Sequence, residues 1–450
     1  MTPPQALPYG LLAAYGSLAF PLAAAFIALQ VIVPTYYAES TSLSLTAIGG
    51  LLLLARLCDC ITDPLIGYWS DSSNSRWGRR KVFIVASAPL VALSVWFLFN
   101  PPGDAGGAYL LGWTVAIYVA GTAAIVPASA WAAELSDDYN ERSLITGVRV
   151  GFALAGTLAA LVVSAVFAED GSQNLRDTLQ AVTVLVLLTL LASTLWAARR
   201  VPDTAQTTLP ADSVQAAWDI MKSANPFRQL LVSFLFNAVA NAIPATLFLL
   251  FVTHVLEAPA QAGVFLFLYF VCAALAVPVW VAISKRFGKH RTWSVAMLMA
   301  CVFFIWTPFL NADTIFWFYV IVAATGFATG ADLALPNAIN ADVIEWDALE
   351  TGYRRPGLFF ALWGTASKLS YALAIGIAFP LLELGGFSAT DANTQGSVLW
   401  LAVLYGAPCI VFKLIAIWMM RDYPITESVH LEIRRKLQAL QAADDSASSS

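Results

Sequence analysis

The run RLCDCITDPLIGYWSDSSNSRWGRRK, residues 56–81, opens with Arg56, Asp59 and Asp63 in a stretch that is otherwise apolar. Spacings of three and four put these side chains on one face of an α-helix over about 10 Å of rise. A charge at the centre of a bilayer costs on the order of 3 kcal/mol on the lenient insertion scale, so that face must look into protein or a water-filled cavity. Two bare carboxylates one turn apart repel, and a positive charge between them relieves the repulsion. Hard oxygen ligands suit Na⁺, crowded carboxylates also suit H⁺, and the residues leave both open. The plainer reading is a buried Arg56–Asp59 pair that locks the helix, but one arginine then leaves the second aspartate to be balanced. Pro64 lacks an N–H, which frees the carbonyl one turn back to bend the helix or to coordinate an ion. Beyond it, Asp71, Arg76, Arg79, Arg80 and Lys81 form a loop that either anchors the chain by positive charge or latches in one conformational state.

The elements that must position these residues follow from composition. Of 450 residues, 59% are hydrophobic and 12% charged, and the mean hydropathy is +0.71, well above that of soluble globular chains. A bilayer core of about 30 Å takes roughly 20 apolar residues to cross. Such runs begin near residues 9, 44, 82, 108, 143, 179, 227, 259, 292, 314, 355 and 395, which predicts an all-α membrane protein of twelve transmembrane helices. The opening MTPPQALPYG has no basic n-region, so the first apolar stretch is expected to be a retained helix. Of 24 Lys and Arg residues, Arg56, Arg149, Lys368 and Lys413 fall inside spans and Arg176 lies in a loop on the far side, leaving 19 on the side of the termini. The positive-inside bias then expects both termini in the cytoplasm, and the net charge of −5 does not bear on orientation.

The polar stretch at 199–226 reads as a cytoplasmic linker between six-helix bundles at 1–198 and 227–422, with a cytoplasmic tail at 423–450. Val214, Trp218 and Met221 share one face of a short linker helix suited to the membrane surface. In the tail, Leu431, Arg434, Arg435 and Leu437 mark a second short amphipathic helix, and the ending AADDSASSS lacks the apolar content to fold. SRWGRRK after the second span echoes KRFGKHRTW after the eighth, a parallel repeat of six spans. Duplicated halves with a solute between them suit alternating access by rocking. Cys58, Cys60, Cys272, Cys301 and Cys409 sit in apolar spans, and the three histidines are scattered, so no metal spacing arises. No G-x-x-x-x-G-K-[ST] run is present, no cofactor or nucleic-acid partner is expected, and a monomer is the simplest assembly.

Three ordered runs carry a family resemblance. Arg56 to Gly67 reads R-x-x-D-x-x-x-D-P-x-x-G with RWGRRK downstream; ELSDDYNERSLITGVR runs from Glu134 to Arg149; ADVIEWDALETGYRRPG at 341–357 leads through FFALWGTASK to Lys368. Together they resemble the melibiose permease-like family of glycoside–pentoside–hexuronide:cation symporters, within the major facilitator superfamily. The third run departs from the family's pattern at Glu345, Trp346 and Ala348. By this resemblance Asp59 and Asp63 form the cation site and Thr122 is the hydroxyl that faces them. Arg149 and Lys368 would be cations of the central solute cavity, the plainer reading being structural charge balance. Trp131, Trp363 and Tyr118 are candidates to stack on a ring-shaped solute, although aromatics in spans more often pack between helices or anchor at the interface. Arg56, Pro64, Asp71, Arg79, Arg80, Arg142, Asp342 and Glu345 would belong to gating or structural positions. The resemblance also implies a bacterial inner membrane. Galactoside-binding members present acids on helices 1 and 4 where Ala23 and Ile125 stand here, which argues against melibiose itself. From the residues alone, Asp332 with Asn337 and Asn340 beyond Pro336 forms a polar cluster at an expected helix break. Asn237 and Asn241 sit one turn apart, and both groups are candidates for solute hydrogen bonds or for bonds between helices.

The leading expectation is a secondary active transporter coupling Na⁺ or H⁺ to uptake of a sugar or glycoside-like solute. The alternative is a lysolipid or other amphiphile symporter of the same fold, which Ala23 and Ile125 fit. A membrane-embedded enzyme using Asp59 and Asp63 as acid and base is the remote alternative. The pair lies one turn apart on a single helix with no second catalytic motif, so no enzyme is expected.

Overall fold

A computed structural model describes residues 7–73, 75, 78, 80–135, 139–166, 168–169, 172–202, 224–351, 356–389, 393–426, 429, 432–433 and 435–436. The first span is made of α1 (Tyr9–Gly16) and α2 (Ala19–Ser40). The next five are α3 (Leu45–Ser72), α4 (Lys81–Phe99), α5 (Gly107–Glu134), α6 (Tyr139–Val166) and α7 (Leu175–Arg200). After the linker come α8 (Asn225–His254), α9 (Ala262–Phe287), α10 (Lys289–Phe304), α11 (Ile315–Thr351), α12 (Pro356–Leu384) and α13 (Gln395–Met420). The described residues thus hold the 12 membrane-length helices that the apolar runs predict. Short additions are the 3-10 turns Pro259–Gln261, Thr307–Phe309 and Ala312–Thr314 and an antiparallel pair, β1 (Ala168–Glu169) and β2 (Ser172–Gln173), with Ala168 opposite Gln173, all too brief for any periodicity to mark.

Local chemistry starts and stops these helices. Ser44 accepts the Ala47 N–H at 3.2 Å and caps α3, and Asn174 accepts the Asp177 N–H at 3.2 Å and caps α7. Between α1 and α2 the Ser17 hydroxyl donates to the Ala14 carbonyl at 2.9 Å, where the chain turns aside within the first span. One expectation is corrected here: Pro336 does not break its helix, and α11 runs unbroken from Ile315 to Thr351. Past Pro64, α3 likewise runs on to Ser72. Each proline removes one backbone hydrogen bond, whereas a full break in hydrocarbon would strand several N–H and C=O groups. The linker helix around Val214, Trp218 and Met221 lies outside the described residues. So do Arg79, Leu431, Arg434 and Leu437, and the side chains of Pro64, Asp71 and Arg142.

Contacts group the chain into two units. The first holds residues 1–211, 245–267 and 375–401, and the second holds 212–244, 268–374 and 402–450. The first unit therefore takes in the later part of α8, the start of α9, the end of α12 and the start of α13. Within it, the Glu383 carboxylate accepts the Thr46 N–H at 2.7 Å, so a residue of α12 caps the first turn of α3. Its interior includes Leu12, Tyr15, Ile84, Trp131, Ile145 and Ala197. The second unit packs Phe227, Trp280, Trp293, Ile339, Phe359 and Trp363 together.

Close approach of α6 to α2 depends on Gly156, where an added Cβ would overlap the Phe20 carbonyl oxygen. Small residues at such crossings let helices meet where lipid gives them no hydrophobic reason to. Gly156→Ala is expected to cost about 1–3 kcal/mol through overpacking. Gly112→Ala, at a site with nothing within 4 Å, should be neutral by comparison. Melting temperatures of the two purified variants in one detergent check this, and equal values would remove the tight crossing.

Candidate functional site

Helix α3 presents Arg56, Asp59 and Asp63 along one face, as the spacing requires, and α5 brings Thr122 against it. The Arg56 guanidinium donates to Asp59 Oδ2 at 3.3 Å. The Thr122 hydroxyl lies 2.9 Å from Asp59 Oδ1 and 2.8 Å from Asp63 Oδ1. Arg56, Asp59 and Thr122 are buried, and Asp63 is partly so. A hydroxyl carries a single proton and so donates to one carboxylate at a time. Its second close approach to an anionic oxygen is favourable only if a proton sits on that side or a cation lies among the oxygens. Arg56 sets a positive charge against Asp59, and the two carboxylates and the hydroxyl gather oxygens in an arrangement suited to a cation.

Tyr118 supports this cluster from below. Its ring lies under Arg56, with the guanidinium carbon 4.0 Å from the centroid, and stacks against Phe26 at 6.3 Å. The other two aromatic candidates are likewise packed. Trp131 is buried, donates its indole N–H to the Pro202 carbonyl at 3.0 Å and meets Tyr15 edge-on. Trp363 stacks on Phe234 with centroids 3.9 Å apart. In each case protein occupies ring surface that sequence reasoning offered to a solute, because an aromatic in a span gains most by filling the gap between helices.

Arg149 on α6 donates to Ser129 Oγ at 2.7 Å. Among the described residues it is the one charged side chain on a small cavity of about 40 Å³ whose wall is largely apolar, including Leu22, Ile84, Val91, Ile125 and Leu190. Ala23 is half-buried on α2. Arg80 is buried and donates to Ser70 Oγ at 2.7 Å, joining the start of α4 to the end of α3.

The second unit carries its own buried polar cluster. Asp332 Oδ1 accepts from Asn237 Nδ2 at 2.9 Å and from Trp293 Nε1 at 2.6 Å, while Oδ2 accepts from Asn241 Nδ2 at 2.8 Å. Lys413 Nζ donates to Asn237 Oδ1 at 2.7 Å and stands 3.7 Å from Asp332 Oδ2. Asp332, Asn237 and Asn241, taken from the sequence as solute ligands, thus satisfy one another and Lys413. Lys413 stood out as a cation within a span but had no assigned partner, and 81 residues separate it from Asp332. Nothing in the sequence marks Trp293. Asn337 donates to the Leu333 carbonyl at 3.2 Å, and Asn340 is buried. Asp342 pairs with Lys289 at 2.6 Å near the end of α11, one turn before the half-buried Glu345. Lys368 is half-buried on α12. Arg149 and Lys368 belong to different units.

A family model described as MFS/sugar transport protein matches residues 14–427. The chain is 26% identical over 440 residues to the sodium-dependent lysophosphatidylcholine symporter 1 of Homo sapiens, covering 89% of this chain and 80% of that protein. It is 21% identical over 431 residues to the glucuronide carrier protein homolog of Escherichia coli, covering 91% and 92%. Its fold is similar to that of a mutant of the nucleoside transporter NupG, with a TM-score of 0.67 at 12% identity, covering 91% of this chain and 98% of the other.

Proposed function

Because the chain belongs to the MFS/sugar transport protein family and is a multi-pass transporter of the major facilitator superfamily, we propose that it is a cation-coupled symporter of an organic solute. The observation that carries this reading is the Thr122 hydroxyl held between Asp59 and Asp63, with one of the two negative charges offset by Arg56. One Na⁺ or H⁺ among these oxygens draws them together and tightens α3 against α5. Solute then binds a protein whose helices are already ordered, which is how two ligands that share no contact become linked. Both termini and the linker are assigned to the cytoplasm by the distribution of Lys and Arg.

For the solute, a sugar, glycoside or uronate is the first reading, supported by the family description and the similarity to the glucuronide carrier homolog. A lysolipid-like amphiphile is the second. It is favoured by the apolar wall around Arg149, by Ile125 on that wall, and by the similarity to the lysophosphatidylcholine symporter.

Linkage is reciprocal, so cation raises solute affinity and solute raises cation affinity by one and the same factor, typically about 5–150-fold. Calorimetric titrations of the purified protein with a glucuronide or with lysophosphatidylcholine, in Na⁺ or in choline at two pH values, test both halves of the proposal. Affinity that rises with Na⁺ or with acidification, for one solute class and not the other, is the expected result. Equal affinities in every arm, with transport intact, would remove the coupling.

A further inference from the structure

The turn between α9 and α10 lies in the repeated run KRFGKHRTW, which the cation site does not use. Gly288 makes this turn with φ +84°, a conformation that a side chain disfavours. It leaves Arg286 in the last turn of α9 and opens α10 with Lys289, His290 and Arg291. Basic residues at the first turn of a helix oppose the helix dipole, and α10 has no acidic residue there and no side-chain cap. Lys289 is neutralised by Asp342. Among the described residues Arg286 and Arg291 make no ion pair, and neither does Arg421 just beyond α13. Asp422 is exposed beside Arg421.

His290, Arg291, Trp418 and Arg421 line one groove of about 460 Å³ between α10 and α13, and Arg286, His290 and Arg291 line an adjoining groove of about 870 Å³. His290 is only 8% exposed and makes no side-chain hydrogen bond among the described residues, although it faces both grooves. Two stripes of exposed apolar side chains run away from them. On α10, Arg291 is followed at helical spacing by Val295, Leu298 and Val302; on α13, Val411, Leu414 and Trp418 lead to Arg421. The two stripes run in opposite chain directions, and each ends in an arginine at the same groove.

We propose that this groove holds an anionic phospholipid of the leaflet on the linker side, its phosphate between Arg291 and Arg421 beside His290 and its acyl chains along the two stripes. Guanidinium groups grip phosphate through paired N–H donors. The α10 N-terminus adds backbone N–H groups aimed at the same charge. Basic pockets between membrane helices suit lipid headgroups, while a soluble anion would have no use for the apolar stripes. The groove lies wholly within the second unit, whereas Asp59, Asp63 and Arg149 belong to the first.

Native mass spectrometry of the full chain, released from nanodiscs of mixed phosphatidylcholine and phosphatidylglycerol, tests the site. The wild type should retain phosphatidylglycerol in preference to phosphatidylcholine. Changing Arg286, Arg291 and Arg421 together to Gln should weaken that retention on the order of 100-fold, and Arg421→Gln alone roughly fivefold. Arg199→Gln with Arg200→Gln, in the last turn of α7, should leave it unchanged. Retention by the single and triple variants equal to wild type would overturn the proposal. An equal loss in the Arg199 and Arg200 variant would also overturn it, because net charge would then be the cause. Displacement of the lipid by millimolar inorganic phosphate would overturn it too, because the site would then be one for soluble anions.

Discussion

Asp63→Asn abolishes gradient-driven accumulation of solute while downhill exchange continues at a reduced rate. The expectation follows from the charges around Thr122. In the proposed coupling site the Asp63 carboxylate is one of the oxygens that hold the cation beside Thr122. An amide at 63 removes its charge, so the solute site can still load and turn over but has no cation gradient to draw on. Thr122→Ala should act in the same sense and less severely. It withdraws one hydrogen bond to charged groups, worth about 1.5–3 kcal/mol, so cation affinity should fall roughly ten- to a hundredfold with accumulation restored at high cation. Proteoliposome uptake with and without an imposed gradient, beside solute exchange in the same vesicles, separates the two outcomes. Full accumulation by Asp63→Asn at normal expression would take Asp63 out of the coupling site.

The second large effect concerns the polar cluster of the other unit. Lys413 is 2% exposed, and the Asp332 carboxylate beside it accepts three N–H bonds. Removing one partner of a buried ion pair strands the other charge, which costs about 3–5 kcal/mol. Lys413→Met and Asp332→Asn should each lower stability by that order. The double variant should recover most of the loss, since replacing both charges is often close to neutral. Denaturation of all four proteins in one detergent closes a double-mutant cycle. Strictly additive losses would show that the two groups do not feel each other. The cluster also predicts that neither single variant alters solute affinity in protein that remains folded, because its polar atoms are engaged with one another.

Helix number, span positions and the face of α3 were legible in the sequence because hydrocarbon thickness and helical period leave little choice. Arg56, Asp59 and Asp63 are three and four apart, so their convergence is a local property. Thr122 is separated from Asp63 by 59 positions and emerged only through family resemblance. The partnership of Lys413 with Asp332 and Trp293 depends on how α10, α11 and α13 pack, and no local period encodes that. The three aromatic candidates illustrate a different limit. A tryptophan that fills the space between helices and one that waits for a ring have the same neighbours in sequence, and only the packing of Pro202, Phe234 or Arg56 against them distinguishes the two. Pro336 misled for a related reason. A proline weakens a helix locally, but the cost of breaking one inside a membrane is set by the surroundings.

Continuity through Pro64 gives α3 a mechanical character. A helix of 28 residues is about 42 Å long, more than the hydrocarbon it crosses. It is held at one end by Glu383 through Thr46 and near the other by Arg80 through Ser70. Asp59 and Asp63 sit along its length, Asp59 about 20 Å from the Thr46 attachment. A stiff rod loaded at its middle transmits displacement to both fastenings at once. A charge bound or released at the carboxylates therefore needs no chain of intermediary side chains to be felt at the two membrane faces. The bar that carries the proposed ion site is also the bar to which both fastenings are attached, so the fraction of the load reaching each end is set by stiffness and lever length.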